Sequence, residues 1–222
     1  MPETNPAISR VLRSKDQAKS SYNQMSRWYD MISGSSEKKY RDLGLQKLKA
    51  QTGEQILEIG YGTGHCILTL AQAVGSSGKI CGIDLSDGMR AISEQRIREA
   101  GLQDGVDLRV GDATSLPFDD ARFDAVFMSF TLELFDTPEI PLVLHECQRV
   151  LRSGGRIVVV SLIKKAVMAV QIYEWFHERM PVSVDCRPIL AQESLREAGF
   201  NIDEADGLLM WGLPVEIILA RK

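Results

Sequence analysis

Short apolar segments alternate along this chain with longer segments in which apolar residues recur at helical spacing. The apolar segments are rich in β-branched or aromatic residues and are bounded by Gly, Asp or Pro, a pattern typical of buried strands. We predict strands at residues 55–59, 79–84, 106–110, 123–128 and 156–162.

The segments between these strands are predicted to be helices, at residues 65–74, 87–100 and 138–151. In the second of them, Met89, Ile92 and Ile97 form an apolar stripe opposite Arg90 and Glu94. Repeated strand and helix units of this kind indicate a parallel sheet with helices on both faces.

The end of the chain departs from this alternation. A helix is predicted at 193–198, with Gly199 as its C-cap, and two consecutive strands follow at 200–205 and 208–220. Consecutive strands without a long helix between them form an antiparallel hairpin. The predicted fold is therefore α/β, a Rossmann-like, doubly wound, seven-stranded and mostly parallel sheet with an antiparallel C-terminal strand hairpin.

Composition narrows the class of protein. With 44% hydrophobic and 25% charged residues, the 222-residue chain suits one globular domain. Its net charge of -4 argues against a nucleic-acid partner, which favours clustered Lys and Arg. No apolar run approaches the roughly 20 residues that cross a bilayer, so we expect no integral membrane segment. The N-terminus lacks the features of a secretory signal, and we expect a cytoplasmic protein.

The four cysteines are scattered and form no CxxC pair. This spacing is typical of reduced, buried thiols rather than of a zinc site or a disulfide framework. We therefore expect no metal.

Three glycines, Gly60, Gly62 and Gly64, directly follow the first predicted strand. Glycine lets such a loop turn sharply and lets its backbone approach a ligand closely. The spacing reads GYGTG rather than the GxGxxG of dinucleotide-binding proteins, and no P-loop motif is present. The loop therefore indicates a nucleotide-like ligand other than a dinucleotide.

Carboxylates lie beside this loop at the ends of the strands. Glu58 immediately precedes the glycines, Asp84 ends the second strand, and Asp112 with Ala113 follows the third. Asp84 is suited to accept hydrogen bonds from both ribose hydroxyls, while a carboxylate and a backbone N–H after the third strand suit the edge of an adenine.

Taken together, ILEIGYGTG, GIDLSDGM, GDATSLPF, FDAVFMSF and the LRSGGR turn resemble the class I S-adenosylmethionine-dependent methyltransferases, over residues 22–162. The resemblance implies S-adenosylmethionine as cofactor. It implies that Glu58 organises the glycine loop and the amine of the methionine moiety, that Asp84 binds ribose, and that Met89 or Leu85 packs on adenine. Asp112 and Ala113 would read the adenine ring, and Tyr61 and Ser129 complete the predicted cofactor-binding set.

Within that class the sequence most resembles enzymes that methylate small molecules, including the ubiquinone and menaquinone C-methyltransferases. The arm at 22–30, YNQMSRWYD, resembles their lid helix, so Tyr22 and Tyr29 are candidates to close over the cofactor; packing of both rings on the core is the alternative. We expect an N-terminal helical arm or lid at 1–50 and a methyltransferase domain at 51–222, with an acceptor-lid insertion near 164–188. The turn after the fourth strand, SFTLELF, departs from the LRN-like turn of the quinone enzymes, which leaves the quinol acceptor open.

Two residues are candidate bases. His177 lies in the predicted insertion with Tyr173, Phe176 and Met180 at helical spacing, and an imidazole titrates near neutrality. These residues could line an apolar acceptor pocket, and a covering helix packed on the sheet is the alternative. Glu133 follows the fourth strand at the same rim, where a solvated loop acid is the alternative.

The sequence thus predicts methyl transfer from S-adenosylmethionine to a small, apolar or aromatic acceptor, with C-methylation of a quinol precursor as its most concrete form. A non-catalytic subunit that binds S-adenosylmethionine and a nicotinamide-dependent oxidoreductase remain as alternatives. The arm and the edge hairpin could support a homodimer, although no sequence signal requires one.

Overall fold

The computed structural model describes residues 10–11, 14–25, 34–165, 167–179 and 186–222, without the side chains of 25, 34–36 and 176–178. The helices in this part of the chain are α1 (Lys15–Met25), α2 (Gly34–Leu48), α3 (His65–Val74), α4 (Asp87–Glu99), α5 (Ile140–Val150), α6 (Met168–Arg179) and α7 (Ala191–Glu197). The strands are β1 (Gln55–Ile59), β2 (Lys79–Asp84), β3 (Val106–Val110), β4 (Phe123–Ser129), β5 (Leu151–Leu162), β6 (Asn201–Met210) and β7 (Leu213–Arg221).

These strands form one seven-stranded sheet in the order β3-β2-β1-β4-β5-β7-β6. The first five strands are parallel, whereas β7 pairs antiparallel with both β5 and β6. The predicted fold class, a mostly parallel sheet with an antiparallel C-terminal hairpin, is confirmed.

The central strands are apolar throughout because both faces of the sheet are covered. Alternate residues of one strand enter different cores: Leu57 and Ile59 of β1 face the core under α5 and α7, and Ile56 faces the core under α2 and α3. Each of these side chains is buried. The two cores cover the two faces of the sheet, and loops lie at the carboxyl ends of its parallel strands.

Helix α2 approaches the sheet unusually closely. A Cβ added to Gly44 would lie 2.6 Å from Cγ2 of Val160, so a glycine is needed at this crossing. Helix α4 begins beside the same sheet edge, where the Ser86 hydroxyl accepts a hydrogen bond of 3.1 Å from the backbone N–H of Met89. These contacts hold the helices that flank the glycine loop.

The hairpin turn differs from the sequence prediction. Residues 208–210 were expected to begin the last strand, but they end β6, and the chain reverses at Trp211 and Gly212, both with positive φ. Gly207, which lies between the two predicted strands, pairs with Glu216 inside the ladder. A glycine is tolerated in an edge strand, whereas the tight turn requires two left-handed residues.

Candidate functional site

A cavity of about 380 Å³ opens at the carboxyl edge of the sheet, where parallel α/β sheets bind their ligands. Predicted site residues on its wall are Tyr22, Gly60, Gly62, Asp84, Leu85, Met89, Ala113 and Ser129. The wall also contains residues that the sequence analysis did not select, namely Val11, Ser14, Lys15, Ala18, Ile59, Ile83, Gly111, Phe130, Thr131, Leu134, Phe135, Asp136, Pro138 and Glu139.

The glycine loop forms the floor of the cavity in a conformation that its sequence requires. Gly60 has a φ of 72°, and a Cβ at this position would lie 2.4 Å from the Thr131 side chain. Its N–H donates to the carbonyl oxygen of Ile83 at 2.8 Å, which ties the loop to β2. Here the backbone itself is the surface that a ligand would meet.

Asp84 connects this loop to the end of β2. Its carboxylate accepts hydrogen bonds of 2.9 Å from the backbone N–H groups of Gly62 and Ser86. Burial raises the pKa of Asp84, while these backbone hydrogen bonds favour its ionised form. Each oxygen retains a lone pair, so the carboxylate can accept further hydrogen bonds from a diol in the cavity.

Glu58 lies on β1 immediately before the glycine loop and is almost fully buried. One carboxylate oxygen, Oε2, has no hydrogen-bond partner among the described residues. Burial raises the pKa of Glu58 well above its usual value, and the charge of Arg41 acts in the opposite direction. A buried carboxyl group with an unsatisfied oxygen is costly unless a donor or a cation meets it.

Tyr61 and Gly64 lie beside the cavity without lining it. The Tyr61 ring is buried in the core under α2 and α3, and its hydroxyl donates to the carbonyl oxygen of Arg109 at 3.2 Å. Gly64 caps the N-terminus of α3. Sequence position alone suggested cavity contacts for both, but Tyr61 points to the opposite side of the loop.

Asp112 is held by the N-terminal helix rather than being open to solvent. Its carboxylate accepts a hydrogen bond of 2.9 Å from the Thr114 backbone N–H and forms an ion pair with Lys15 of α1. Burial opposes ionisation, but the hydrogen bonds from Lys15 and Thr114 lower the pKa of Asp112. Lys15 also pairs with Glu139 at 2.6 Å, so one ammonium group joins two loops of the cavity wall.

The N-terminal arm contributes more of the cavity than the sequence analysis predicted. Besides Tyr22, the wall includes Val11, Ser14, Lys15 and Ala18. These positions lie at the spacing of one helical face, a signal that was present in the sequence. Tyr29 lies outside the described residues.

Polar contacts attach the arm to three further points around the cavity. Asn23 Oδ1 accepts hydrogen bonds from the Ser86 hydroxyl at 2.7 Å and the Gly88 N–H at 2.9 Å. Lys19 pairs with Asp87 at 2.6 Å. Near the loop after β4, Arg10 pairs with Asp136 at 2.6 Å. The Arg10 guanidinium lowers the pKa of Asp136 to about 2.

Glu133 was expected at the rim, yet the structure buries it completely, and it does not line the cavity. Its Oε1 accepts a hydrogen bond of 3.3 Å from the Leu162 N–H, and no described residue hydrogen-bonds to Oε2. Burial raises the pKa of Glu133 to about 8. The alternative of a solvated loop acid is therefore wrong, because the structure buries this carboxyl group.

Arg187 is a second buried charge near the same loop, and the sequence analysis did not select it. The residue is inaccessible to solvent, and its Nη2 donates to the carbonyl oxygen of Phe135 on the cavity wall. In the part of the chain that the structure describes, its Nε and Nη1 have no hydrogen-bond partner. Burial lowers the pKa of Arg187, while the charges of Asp136 and Glu133 favour its protonated form.

The predicted acceptor segment forms α6. Tyr173 is half-buried and packs against the core under α2 and α3. The side chains of Phe176 and His177, and the whole of Met180, fall outside the described residues. His177 therefore stays a prediction from sequence.

All four cysteines are free, and three of them are buried. Within the described residues, no helix is long and apolar enough to cross a membrane. In the same part of the chain, no group of three or more His, Cys, Asp or Glu residues is arranged so that it could hold a metal ion.

Comparison with known proteins identifies relatives of this sequence. The profile of the ubiE/COQ5 methyltransferase family matches residues 7–194. The chain is 36% identical over 137 residues to a demethylmenaquinone methyltransferase of Bacillus subtilis (strain 168), which is 62% of this chain and 56% of that protein. The similarity to this relative thus spans little more than half of its length.

Solved structures share the fold. The [4+2]-cyclase SpnF superposes with a TM-score of 0.74 at 23% identity, covering 95% of this chain and 97% of the cyclase. A SAM-dependent methyltransferase from Aquifex aeolicus superposes with a TM-score of 0.64 at 20% identity, covering 90% and 97%. At these identities the similarity concerns the architecture of the chain.

Proposed function

This chain belongs to the ubiE/COQ5 methyltransferase family, and we propose that it transfers the methyl group of S-adenosylmethionine to a small quinol-type acceptor. The observation that carries the proposal is the cavity at the carboxyl edge, in which the glycine loop and Asp84 lie together. The relative from Bacillus subtilis, a demethylmenaquinone methyltransferase, supports the quinol as acceptor.

The polar groups around the cavity fit S-adenosylmethionine. The unsatisfied, buried Oε2 of Glu58 suits the cationic amine of the methionine moiety. Asp84 would accept hydrogen bonds from the ribose hydroxyls, and Ala113 with Asp112 would face the adenine. Leu85 and Met89 supply the apolar surface on which that ring would pack. When bound, the sulfonium supplies an electrophilic methyl group.

The chain's own part in the reaction would be alignment and the exclusion of water. In well-oriented intramolecular reactions, positioning alone supplies up to about 7–11 kcal/mol. Phe130, Leu134 and Phe135 make the wall after β4 apolar, which suits an aromatic acceptor ring. In our proposal the arm at 1–50 closes the cofactor side and residues 164–188 close the acceptor side.

C-methylation of a quinol requires loss of a proton from the acceptor, and Glu133 and His177 are the proposed bases. Glu133 has a pKa of about 8 and one unsatisfied oxygen but does not line the cavity, so it would take the proton through an intervening water. A base whose pKa lies near the operating pH is the most effective. The charge of Arg187, which contacts Phe135 of the cavity wall, would help to stabilise the oxyanion of a deprotonated quinol.

The direct test is transfer of labelled methyl from S-adenosylmethionine to a panel of demethylated quinols. Asp84→Ala should abolish labelling, because it removes the acceptor that holds Gly62 and would hold the ribose. Asp104→Ala, at an exposed carboxylate in the turn Gln103–Gly105, is the matched control. Label found only in other small molecules would keep the methyltransferase and reject the quinol.

Binding separates the remaining alternatives. Calorimetric titration with S-adenosylmethionine and with NAD should give heat only for the first. Binding of NAD alone would overturn the proposal in favour of an oxidoreductase. Tight binding of S-adenosylmethionine without transfer to any small molecule of a cell extract would instead favour a non-catalytic subunit.

A further inference from the structure

The outward face of α6 is apolar, the reverse of what an isolated globular protein presents. Met168, Ile172 and Trp175 lie at helical spacing along one stripe, and all three are exposed, Met168 to 75%. The inward residue Val170 is buried. A covering helix normally keeps charged or polar residues on its solvent side. This stripe therefore indicates a surface that meets something other than water.

The β6–β7 hairpin tip is a second apolar projection. Leu209 is 68% exposed and Trp211 is 80% exposed, and the segment 207–215 contains no charged residue. Trp211 holds a positive φ of 50°, a conformation that costs a bulky residue about 1–2 kcal/mol. The hairpin turn uses this conformation, but the exposed indole gains little packing among the described residues in return.

These two segments form one surface, the α6–hairpin surface, defined by Val167, Met168, Ile172, Trp175, Leu209 and Trp211. Ile163, just before α6, donates its N–H to the carbonyl oxygen of Pro214, just after the turn, at 2.8 Å. Seven large hydrophobic residues of the described chain are exposed, and Leu142 of α5 is the one outside this surface. Such a concentration marks an interaction site rather than scattered exposure.

The α6–hairpin surface lies at the same edge of the sheet as the cavity. Leu162, the last residue of β5, pairs with Val215 near the start of β7. The hairpin tip therefore lies beside the carboxyl ends of the parallel strands, where the glycine loop and Asp84 are found. A large apolar partner bound to this surface would therefore lie on the same side of the protein as the cavity, where an acceptor would enter.

Charge favours an anionic partner. Among the described side chains of residues 164–179, Lys164 is paired with Glu174, and Lys165 and Arg179 are exposed. The Arg179 guanidinium lies 4.4 Å from the centre of the Trp175 ring. Exposed Trp and aliphatic residues beside Lys and Arg are typical of segments that insert into the interface of an anionic bilayer.

We propose that the α6–hairpin surface docks on an anionic lipid bilayer and brings the cavity to a membrane-dissolved acceptor. The docking itself stands on the exposed residues and their charge, while the delivery of an acceptor rests on the proposed quinol methylation. Insertion of the apolar side chains supplies the affinity, and Lys165 and Arg179 add attraction to acidic headgroups.

Sedimentation with vesicles tests the docking without cofactor or acceptor. We expect the protein to bind phosphatidylglycerol-containing vesicles and to bind pure phosphatidylcholine vesicles much more weakly. Met168→Glu and Trp211→Glu should each reduce binding by about tenfold, because each replaces an inserted side chain by a charge that lipid headgroups repel. Leu142→Glu, at an exposed leucine on the opposite face of the sheet, should bind as the wild type does.

Three results would overturn the proposal. The protein could fail to bind either kind of vesicle, or Leu142→Glu could reduce vesicle binding as much as Met168→Glu and Trp211→Glu do. The third is a homodimer in light scattering that Met168→Glu converts to a monomer. The last would assign the surface to a second copy. Thermal unfolding of each variant separates lost binding from misfolding. Because vesicle binding needs no turnover, failure of the quinol assay leaves this result intact, and the converse also holds.

Discussion

Lys15 of α1 forms an ion pair with Asp112, a carboxylate that lies 97 residues further along the chain and follows β3. The same ammonium group binds Glu139 at the start of α5. One side chain of the N-terminal arm thus joins two loops of the cavity. The first helix of the arm is thus held at the rim by polar contacts, whereas α2 packs on a core of the sheet.

Lys15→Met should therefore weaken cofactor binding. Each partly exposed ion pair is worth about 0.2–1 kcal/mol, so loss of both predicts a dissociation constant raised by about twofold to thirtyfold. Calorimetry with S-adenosylmethionine measures this change. Lys38→Met, which removes the exposed pair with Asp42 on α2, should leave the constant unchanged. An unaltered constant for Lys15→Met would mean that the arm does not close on the cofactor.

Gly60→Ala should destabilise the protein more than Gly62→Ala. Both positions have positive φ, but a Cβ at Gly60 meets Thr131 at 2.4 Å, whereas a Cβ at Gly62 meets nothing within 4 Å. The strain is common to both variants, so their difference isolates the clash, worth about 1–3 kcal/mol. Urea unfolding gives both values. Equal destabilisation would show that the Thr131 side chain moves aside freely.

Glu133 should make stability depend on pH. Burial raises its pKa to about 8, so the folded protein binds this proton more tightly than the unfolded chain. This stabilisation is fully present below the pKa that Glu133 has in the unfolded chain. It is lost as the pH rises from that value towards 8, by at most about 1.4 kcal/mol per pH unit. In urea unfolding, Glu133→Gln should lack this decline. Parallel pH profiles for the two proteins would contradict the assignment.

Activity should report the same group if Glu133 is the base. The wild-type kcat should rise with pH and level off above a pKa of about 8. Glu133→Gln should lower kcat by about 10²–10⁴-fold. Binding of S-adenosylmethionine should be nearly unaffected, since Glu133 does not line the cavity. If kcat of the Glu133→Gln variant still rises with pH in the same range, another group is the base. His177→Gln is then the next variant to measure.

The sheet could be predicted from sequence because its signals are local. Buried parallel strands are apolar on both faces, and the segments 55–59 and 79–84 agree with β1 and β2 residue by residue. Asp84 could be located for the same reason, since the end of a strand fixes its place at the sheet edge.

Features that depend on distant contacts could not be predicted in this way. The burial of Glu133 arises from the packing of its loop against Leu162, and the partner of Lys15 is set by the path of the arm. The position of the hairpin turn was mistaken because Trp211 adopts a left-handed conformation that its residue type disfavours. In each case tertiary contact overrides what the local sequence prefers.

The insertion of β7 between β5 and β6 has a consequence for synthesis on the ribosome. β5 gains its second neighbour, and β6 its only partner in this sheet, from the strand of these seven that is made last. Until residue 221 has emerged, the open edge of β5 is a template for pairing with other nascent chains. We expect the sheet to be completed only after β7 has been translated and pairs with β5 and β6. Protection by a chaperone would be most valuable before that pairing.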